Sequence, residues 1–455
     1  MPDRPSVPRA NSAGSLIIAG TASNTGKTTV TLAALRAMRR KGLSVSSAKA
    51  GPDYIDPAFH RTASGAECMN LDTYAMSAGT LNHILGGLQE RSEYTLIEGV
   101  MGLFDGSAVG PGSTAEIAGR FGLPVLLTVN VAGESESAAA VVRGFMTHNE
   151  KVRIAGAVLN QAASARHGEM CRVAVEKVGC PVISVLPRQT DLALEGRHLG
   201  LKQAEEAPDL EAFMERAADW FERHTDWPAF LSLFRPPGIG PRPGPAEWGT
   251  APPGAHTAAA SDRAFRFFYP HLAAAWRERG AKISLFSPLA GETPHPAADA
   301  IYFPGGYPEL HAREIAGKKE LFGALRRAAG RGVPIFGECG GYMILGESIT
   351  DGEGRTHPMA ELLPVEFTMQ DPERHLGYRK AALREAALGE EAGARFHAHE
   401  FHYASIRRTD PYSDSLKALF EMADSEGNPL GPAGHMKGSV AGSFIHIIDR
   451  VRDQV

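Results

Sequence analysis

The sequence predicts an α/β protein of two tandem domains, each built around a buried parallel sheet. Short apolar runs such as "SLIIAG", "YTLIEGV", "PVLLTVNV", "IAGAVLN" and "PVISVLP" alternate with longer helical stretches, the pattern left by βαβ units whose strands are covered on both faces. The same alternation resumes downstream in "KISLFSPL", "AIYFPGG" and "VPIFGEC". Between the two halves lies "FRPPGIGPRPGPAEWGTAPPGAH". Proline removes backbone donors there and glycine adds chain entropy, so neither a helix nor a central strand suits it. It reads as a linker over 234–256, with a first domain at 14–233 and a second at 257–450. A chain of 455 residues, 43% of them hydrophobic, can bury more than one core. No repeat of fixed period is evident.

Charge and cysteine content narrow the function classes. Against 47 Lys and Arg stand 52 Asp and Glu, a net charge of -5, which gives no global attraction to nucleic acid or to an anionic membrane surface. Cys68, Cys171, Cys180 and Cys339 show neither a disulfide framework nor zinc-site spacing, so a reducing cytoplasm is expected. The opening "MPDRPSVPRANSAGS" has no apolar signal-like core and no run is long enough to span a bilayer, so a soluble, unexported protein is expected.

The first chemical signal is "GTASNTGKTTV", which follows the strand-like run "SLIIA". A standard phosphate loop leaves four residues between its first glycine and the Gly-Lys pair. Here Gly20 and Gly26 enclose five, and Thr21 stands where the glycine is expected. The physics survives the change. Gly26 permits close backbone approach, and Thr28 and Thr29 open a helix whose free N–H groups face an anion. Lys27 is placed to reach β- and γ-phosphates and the Thr28 hydroxyl to reach Mg²⁺. Gly20, Thr21, Asn24, Thr25, Gly26, Lys27, Thr28 and Thr29 are therefore the expected nucleotide-binding set. A glycine turn before an ordinary amphipathic helix is the plainer alternative.

Two acidic clusters follow. "KAGPDYIDPAFH" carries Asp53 and Asp56 in a proline-bounded loop after the strand-like "LSVSSAK"; "LIEGVMGLFDG" carries Glu98 at a strand end and Asp105 in a glycine-rich loop. Ligands of open parallel sheets gather at the carboxyl ends of strands, where all these acids fall. Carboxylates beside a triphosphate are what Mg²⁺ requires. Each acid alone is more ordinarily a helix cap or a solvated loop residue.

The second domain carries different chemistry. In "VPIFGECGGYMILGE" a buried-type strand runs into Glu338, Cys339, Gly340 and Gly341 and then a helix. Gly-x-Cys-x-Gly at a strand-to-helix turn is a nucleophile elbow, and the helix N-terminus is expected to lower the thiol pKa. Gly305 and Gly306 in "YFPGGYPEL" are candidate backbone donors to an oxyanion. His446 in "GSFIHIIDR" is the candidate general base for Cys339. Cys68, Cys171 and Cys180 read as small buried hydrophobes, and "RAMRRKG" as a helix C-terminus complementing its dipole.

The order of these motifs, with "GGYPELH" before the elbow and "HEFHY" between the elbow and the late histidine, resembles the cobyrinic or hydrogenobyrinic acid a,c-diamide synthase family of corrinoid biosynthesis over nearly the whole chain. The first half resembles dethiobiotin synthetase, whose phosphate loop has the same extra residue; the second resembles the class I glutamine amidotransferases. The resemblance implies a P-loop doubly wound parallel sheet domain followed by a flavodoxin-like class I glutamine amidotransferase domain. It implies that Lys27 and Thr28 hold ATP phosphate and magnesium, that Asp53, Asp56, Glu98 and Asp105 organise metal, ATP and the substrate carboxylate, with Thr28, Asp53 and Glu98 on the metal. It places Tyr54 and Ile55 near the macrocycle and Asn160 at the adenine base. Classical members carry a glutamate two residues after the histidine. Here that place is Ile448, so Cys339 and His446 are expected to act as a dyad, with the group that orients the histidine unnamed.

The implied reaction follows from the inertness of a carboxylate: ATP first makes an acyl phosphate, and ammonia from glutamine, released through a Cys339 thioester, displaces the phosphate. Ammonia is then expected to cross between domains away from bulk water. The implied acceptors are the a and c acetate side chains of the corrinoid macrocycle; cobyrinate and hydrogenobyrinate both stay open, with a lean to the metal-free one. Cobyric acid synthase and nickel-sirohydrochlorin a,c-diamide synthase are the alternatives within the amidation class, and a partitioning-type P-loop ATPase switch is the alternative outside it. "HAHEFHYASI" reads either as part of the coupling between the two reactions or as a polar-faced edge strand. Oligomeric state stays open, a homodimer included.

Overall fold

The first half is organised around β1 (Gly14–Gly20), which is buried along its whole length. In the computed structural model, which describes residues 14–107, 110–192 and 209–452, β1 lies fourth in a seven-stranded sheet. Its partners are β2 (Val45–Ala50), β3 (Cys68–Leu71), β4 (Tyr94–Glu98), β5 (Val125–Asn130), β6 (Ile154–Ala162) and β7 (Val182–Pro187), in the order β3-β2-β4-β1-β5-β6-β7. Every pairing is parallel. Helices α1 (Lys27–Arg40), α2 (Asp56–Ser64), α3 (Ala78–Arg91), α4 (Thr114–Phe121), α5 (Ser137–His148), α6 (Ala165–Lys177), α7 (Leu210–Arg223) and α8 (Trp227–Leu231) follow the strands. The expected doubly wound parallel sheet is thus present, and its carboxyl edge gathers the ends of β1, β2 and β4. The opening segment through residue 13, judged above for signal-like character, lies outside the described residues.

The core of this unit joins Leu16 and Ile18 of β1, Leu32 and Leu35 of α1, Phe59 of α2 and Met214, Trp220 and Phe221 of α7. The basic stretch "RAMRRKG" does more than complement a dipole. Arg36, only 6% exposed, reaches Glu211 at 2.6 Å and Glu215 at 3.2 Å, and Arg40 reaches Asp219 at 2.7 Å. The helix end is therefore tied to α7 by ion pairs, a partner the sequence reading did not foresee.

The described residues divide into two compact units, with the main border between Pro241 and Arg242 and with residues 74–80 counted in the second. The stretch read as a linker holds neither helix nor strand up to His256, although Trp248 and Thr250 within it are buried.

The second unit has β8 (His256–Ala260), α9 (Pro270–Glu278), β9 (Lys282–Phe286), β10 (Ala300–Phe303), α10 (Ala312–Ala316), α11 (Lys319–Gly330), β11 (Ile335–Glu338) and α12 (Gly340–Leu345). Short strands follow: β12 (Ser348–Thr350), β13 (Thr356–Pro358), β14 (Val365–Thr368), β15 (His375–Leu383), β16 (Arg395–His402), β17 (Ser405–Thr409), β18 (Phe420–Asp424), β19 (Pro429–Ala433), β20 (His435–Lys437), β21 (Val440–Ser443) and β22 (Ile445–Val451). The main sheet has the order β20-β21-β11-β10-β8-β9. All its pairings are parallel except the β20 edge. Two further sheets, β13-β12-β14-β17 and β19-β18-β15-β16-β22, are mostly and wholly antiparallel respectively. In the latter, "HAHEFH" forms β16, which pairs with β15 on one side and β22 on the other; it is an interior strand rather than an edge. Among the described residues, no helix is long and apolar enough to cross a membrane.

Helix α12 packs so tightly on β10 that a Cβ on Gly341 would overlap the Phe303 carbonyl. Because that neighbour is backbone in a central strand, it cannot rotate away. Gly341→Ala is expected to lower the stability of this unit by roughly 1–3 kcal/mol, read as a fall in the urea unfolding midpoint.

Candidate active site

In the first unit the phosphate loop leaves β1 at Gly20 and enters α1 at Lys27. Gly26 takes φ 90°, in the left-handed region that favours glycine, and the first turn of α1 has neither a side-chain cap nor an acid. Its amides are therefore left for an anion. Asn160, at the end of β6, donates to the Thr25 carbonyl at 2.9 Å while its own oxygen accepts from the Gln161 N–H at 2.9 Å. That carboxamide braces the loop. Lys27 is buried, and burial, with the Lys49 charge adding to it, lowers its pKa against the pull of Glu98.

Register assembles the charged cluster beneath the loop. Lys49 of β2 lies opposite Glu98 of β4, which in turn lies opposite Ile18 of β1. The Lys49 ammonium donates to Glu98 at 2.8 Å and to Asp56 at 2.6 Å, with Asp53 at 3.9 Å. Glu98, fully buried, also accepts from the Thr28 hydroxyl at 2.6 Å and meets the His60 ring at 2.6 Å. Burial opposes its charge, but Lys49 and His60 outweigh that and hold its carboxyl far below the usual range. Lys49 in turn is held well above its ordinary value, because Asp56, Glu98 and Asp53 outweigh the burial that would discharge it. Asp56 goes the other way: burial and the nearby Asp53 push it up to about 7 against the pull of Lys49.

Asp53 accepts from the backbone N–H groups of Ile55 and Asp56 at 2.8 and 2.9 Å, so it caps the start of α2 as well as facing Lys49. Tyr54 and Ile55 lie half-buried between the two aspartates, and Ile55 packs against the core. Asp105 accepts from Gly102 N–H at 3.0 Å, and the same loop docks on the phosphate loop through Leu103 N–H and the Gly20 carbonyl at 2.9 Å. Lys49 and His60 were not singled out from the sequence. The signal was a charged residue inside a fully buried strand, which demands a counter-charge.

In the second unit Cys339 stands between β11 and α12 with φ 48° and ψ -111°. Holding a non-glycine residue there costs on the order of 1–3 kcal/mol and marks a functional turn. Its N–H donates to the Ser443 carbonyl at 2.8 Å and its thiol to the Phe401 carbonyl at 3.7 Å. The amides of Gly306 and Gly340 point at the sulfur. Gly305 lies against the His446 ring so closely that a Cβ there would strike it. Cys339, His446, Gly305 and Gly306 therefore converge.

The expected lowered thiol is corrected by the structure. Burial pushes the Cys339 thiol well above its ordinary value; Glu309 adds to the rise, and the two amides only partly offset it. A six-residue helix supplies too little field to reverse the desolvation. His446, fully buried, is held well below its ordinary value by burial first and then by His399 and His402. The resting pair is thus neutral thiol and neutral imidazole. On β16, Glu400 binds His402 at 3.0 Å and Arg379 at 2.6 Å, and His399 lies opposite His446 in the register. The remaining cysteines are free and buried, as expected.

Two family models match the chain: the CobQ/CobB/MinD/ParA nucleotide binding domain over residues 16–201 and the CobB/CobQ-like glutamine amidotransferase domain over residues 256–453. The chain is 48% identical over 437 residues to hydrogenobyrinate a,c-diamide synthase of Brucella suis, covering 95% of this chain and 98% of that protein. It is 46% identical to the protein of the same name from Rhodobacter capsulatus, with the same shares covered, and 44% identical to that of Rhizobium meliloti, covering 95% and 99%.

His60 supplies a pH test of the charged cluster. Burial would discharge it, but the Cys68 sulfur at 3.5 Å and the Glu98 carboxylate outweigh that and raise it from 6.5 to about 10. A raised histidine stabilises the fold fully below its unfolded value and loses that contribution as pH climbs through the folded one. Wild type is expected to exceed His60→Gln by roughly 3 kcal/mol. The advantage should hold below pH 6.5 and shrink steadily towards pH 10, as measured by urea unfolding across pH.

Proposed function

The chain belongs to the hydrogenobyrinate a,c-diamide synthase family, and from that premise we propose that it uses ATP and glutamine to convert the a and c acetate side chains of hydrogenobyrinate to amides. The observation that carries the reading is the presence in one chain of two complete and chemically different sites: an uncapped phosphate loop over Lys49 and Glu98, and a strained cysteine beside a neutral histidine. A switch ATPase needs only the first and a stand-alone glutaminase only the second.

In the first site a substrate carboxylate attacks the γ-phosphorus of ATP, the bond to the β-bridging oxygen breaks, and ADP leaves. Lys27 and the first-turn amides of α1 neutralise charge on the transferring group, and Lys49 is placed to hold the attacking carboxylate beside Asp53 and Asp56. Among the described residues, no group of three or more His, Cys, Asp or Glu forms a metal-holding cluster. Mg²⁺ needs none, since it takes one or two carboxylates along with phosphate oxygens and water. Thr28 Oγ1 and Glu98 Oε1, 2.6 Å apart, fit that demand and are the atoms that would hold it. When bound, the ion neutralises triphosphate charge.

In the second site His446 takes the Cys339 proton, and the sulfur attacks the glutamine side-chain carbonyl. The Gly306 and Gly340 amides receive the negative charge on its oxygen. Collapse releases ammonia, which carries away the proton held by His446, and water then hydrolyses the thioester to glutamate. Ammonia displaces phosphate from the acyl phosphate to give the amide. The four cysteines are free thiols, which suits a reducing compartment, and we place the enzyme in the cytoplasm.

The direct test incubates the protein with ATP, Mg²⁺, glutamine and either hydrogenobyrinate or cobyrinate and follows two successive acid-to-amide mass shifts. Conversion of the metal-free substrate is expected; conversion of cobyrinate alone would overturn the substrate assignment. Cys339→Ala is expected to cut glutamine-supported amidation by at least about 10³-fold while leaving ammonia-supported amidation intact. Lys27→Ala is expected to lower both by roughly 10²-fold or more, since neither nitrogen source reacts with an unactivated acid.

A further inference from the structure

Two residues after His446 stands Ile448, fully buried and apolar, so the histidine has no acid at that sequence offset. An imidazole that accepts a proton on one nitrogen works best when its other N–H is held by an acceptor, because that fixes both tautomer and ring orientation. The acids on neighbouring elements are already committed. Glu400 is engaged by Arg379 and His402. Asp449 accepts from the backbone N–H groups of Ser77 and Arg450, both at 2.9 Å.

Glu338, the last residue of β11 and the one directly before the nucleophile, differs. It is 2% exposed, and its Oε2 lies 4.0 Å from His446 Nδ1. The carboxyl is fixed from two sides. The Tyr302 hydroxyl of β10 donates to Oε2 at 2.8 Å, and the N–H of Ile447, next to the histidine on β22, donates to Oε1 at 3.3 Å. Its surroundings are otherwise largely apolar, a cavity lined by Leu272, Trp276, Phe336 and Phe396. A carboxyl kept there with two donors, against the δ-nitrogen of a buried histidine, is expensive unless it has work to do.

We propose that Glu338 is the positioning residue for His446: from 4.0 Å its carboxylate attracts the Nδ1 side of the ring, leaves the ε-nitrogen free to take the Cys339 proton, and stabilises the imidazolium that results. The inference rests on the reading of Cys339 and His446 as nucleophile and base. The orienting acid thus arrives from the strand that carries the nucleophile rather than from the strand that carries the histidine. Only the Cys339 proton moves in this step, from sulfur to His446, and Glu338 stays a carboxylate throughout.

A pH signature follows. Burial raises the Glu338 carboxyl to about 8, against the hydrogen bonds from Tyr302 and Ile447. The groups that face it are Tyr302, Cys339 and His446; His399, His402 and Glu400 face His446 from β16. When Glu338 is protonated it loses the charge that steadies the imidazolium, so glutaminase kcat/KM should rise with pH through an apparent value near 8. Removing the Tyr302 hydroxyl withdraws a bond that favours the ionised form, so that limb should move to higher pH.

The experiment measures glutamine hydrolysis and ammonia-supported amidation across pH in the full chain, for wild type, Glu338→Gln, Tyr302→Phe and Cys339→Ala. Glu338→Gln should lose the acid limb and drop glutaminase kcat at least tenfold with KM within about twofold, while ammonia-supported amidation is unchanged. Tyr302→Phe should keep most of its kcat and shift the limb alkaline. A Glu338→Gln enzyme with normal kcat and an intact limb overturns the inference, as does a change confined to KM. If Glu338→Gln fails to fold, an unmoved limb in Tyr302→Phe overturns it just as well. Should Cys339→Ala still hydrolyse glutamine, the reading of the nucleophile fails instead.

Discussion

The ammonium of Lys49 is the constraint on which the first unit's chemistry depends. Three carboxylates, Asp53, Asp56 and Glu98, meet at the end of one sheet, and Glu98 is wholly buried. Like charges brought out of water at close range resist ionising together, so such a cluster needs an interior cation. Lys49 meets two of them within 2.8 Å and is itself kept charged by them. The arrangement keeps Glu98 ionised beside the Thr28 hydroxyl. It leaves Asp56, pushed up to about 7, as the member whose charge responds to what arrives.

The second unit solves the opposite problem. Cys339 and His446, the reacting groups of the proposed glutaminase step, are kept uncharged at rest: burial raises the thiol and depresses the histidine. A permanently ionised thiolate is also a target for oxidation and adventitious electrophiles, whereas a neutral pair becomes an ion pair only as the proton moves towards His446. The two amides at the sulfur then favour negative charge there at the moment it develops. Strain at Cys339 serves the same end, since it turns the sulfur out of the strand without requiring a helix long enough to pull its proton off.

Much of this was legible in the sequence because it is written in local, short-range signals. Gly20 to Thr29 is contiguous, the strand before it is a plain apolar run, and Gly-x-Cys-x-Gly spells its own turn. The parallel sheets follow from the same periodicity. What could not be read depends on register. Nothing local pairs Lys49 with Glu98; only the parallel alignment of β2 and β4 does. The bond from the Asn160 amide to the Thr25 carbonyl across the loop is likewise invisible in the sequence, because it joins residues far apart in the chain. The antiparallel sheets after residue 345 were missed because their strands mix polar and apolar residues, without the unbroken apolar runs that announce β1 or β5. The thiol pKa was misjudged because a helix N-terminus is visible in sequence and the depth of burial is not.

The placement of Glu338 shows why an acid can be absent at one offset and present in space. In a parallel pair the end of one strand lies beside the end of its neighbour, so the residue before a nucleophile elbow faces whatever the following elements bring across the sheet's edge. Here β21 pairs with β11 up to Glu338 opposite Ser443, and the chain then turns through Phe444 into β22, carrying His446 back over that edge. An acid on β11 is thereby as close to the imidazole as one two residues along β22 could be. It also has an advantage in stiffness: Glu338 is fixed by the sheet that fixes Cys339, so a single backbone element sets the nucleophile and the group that aims its base. That economy costs conformational freedom, because any shift of β11 moves both at once.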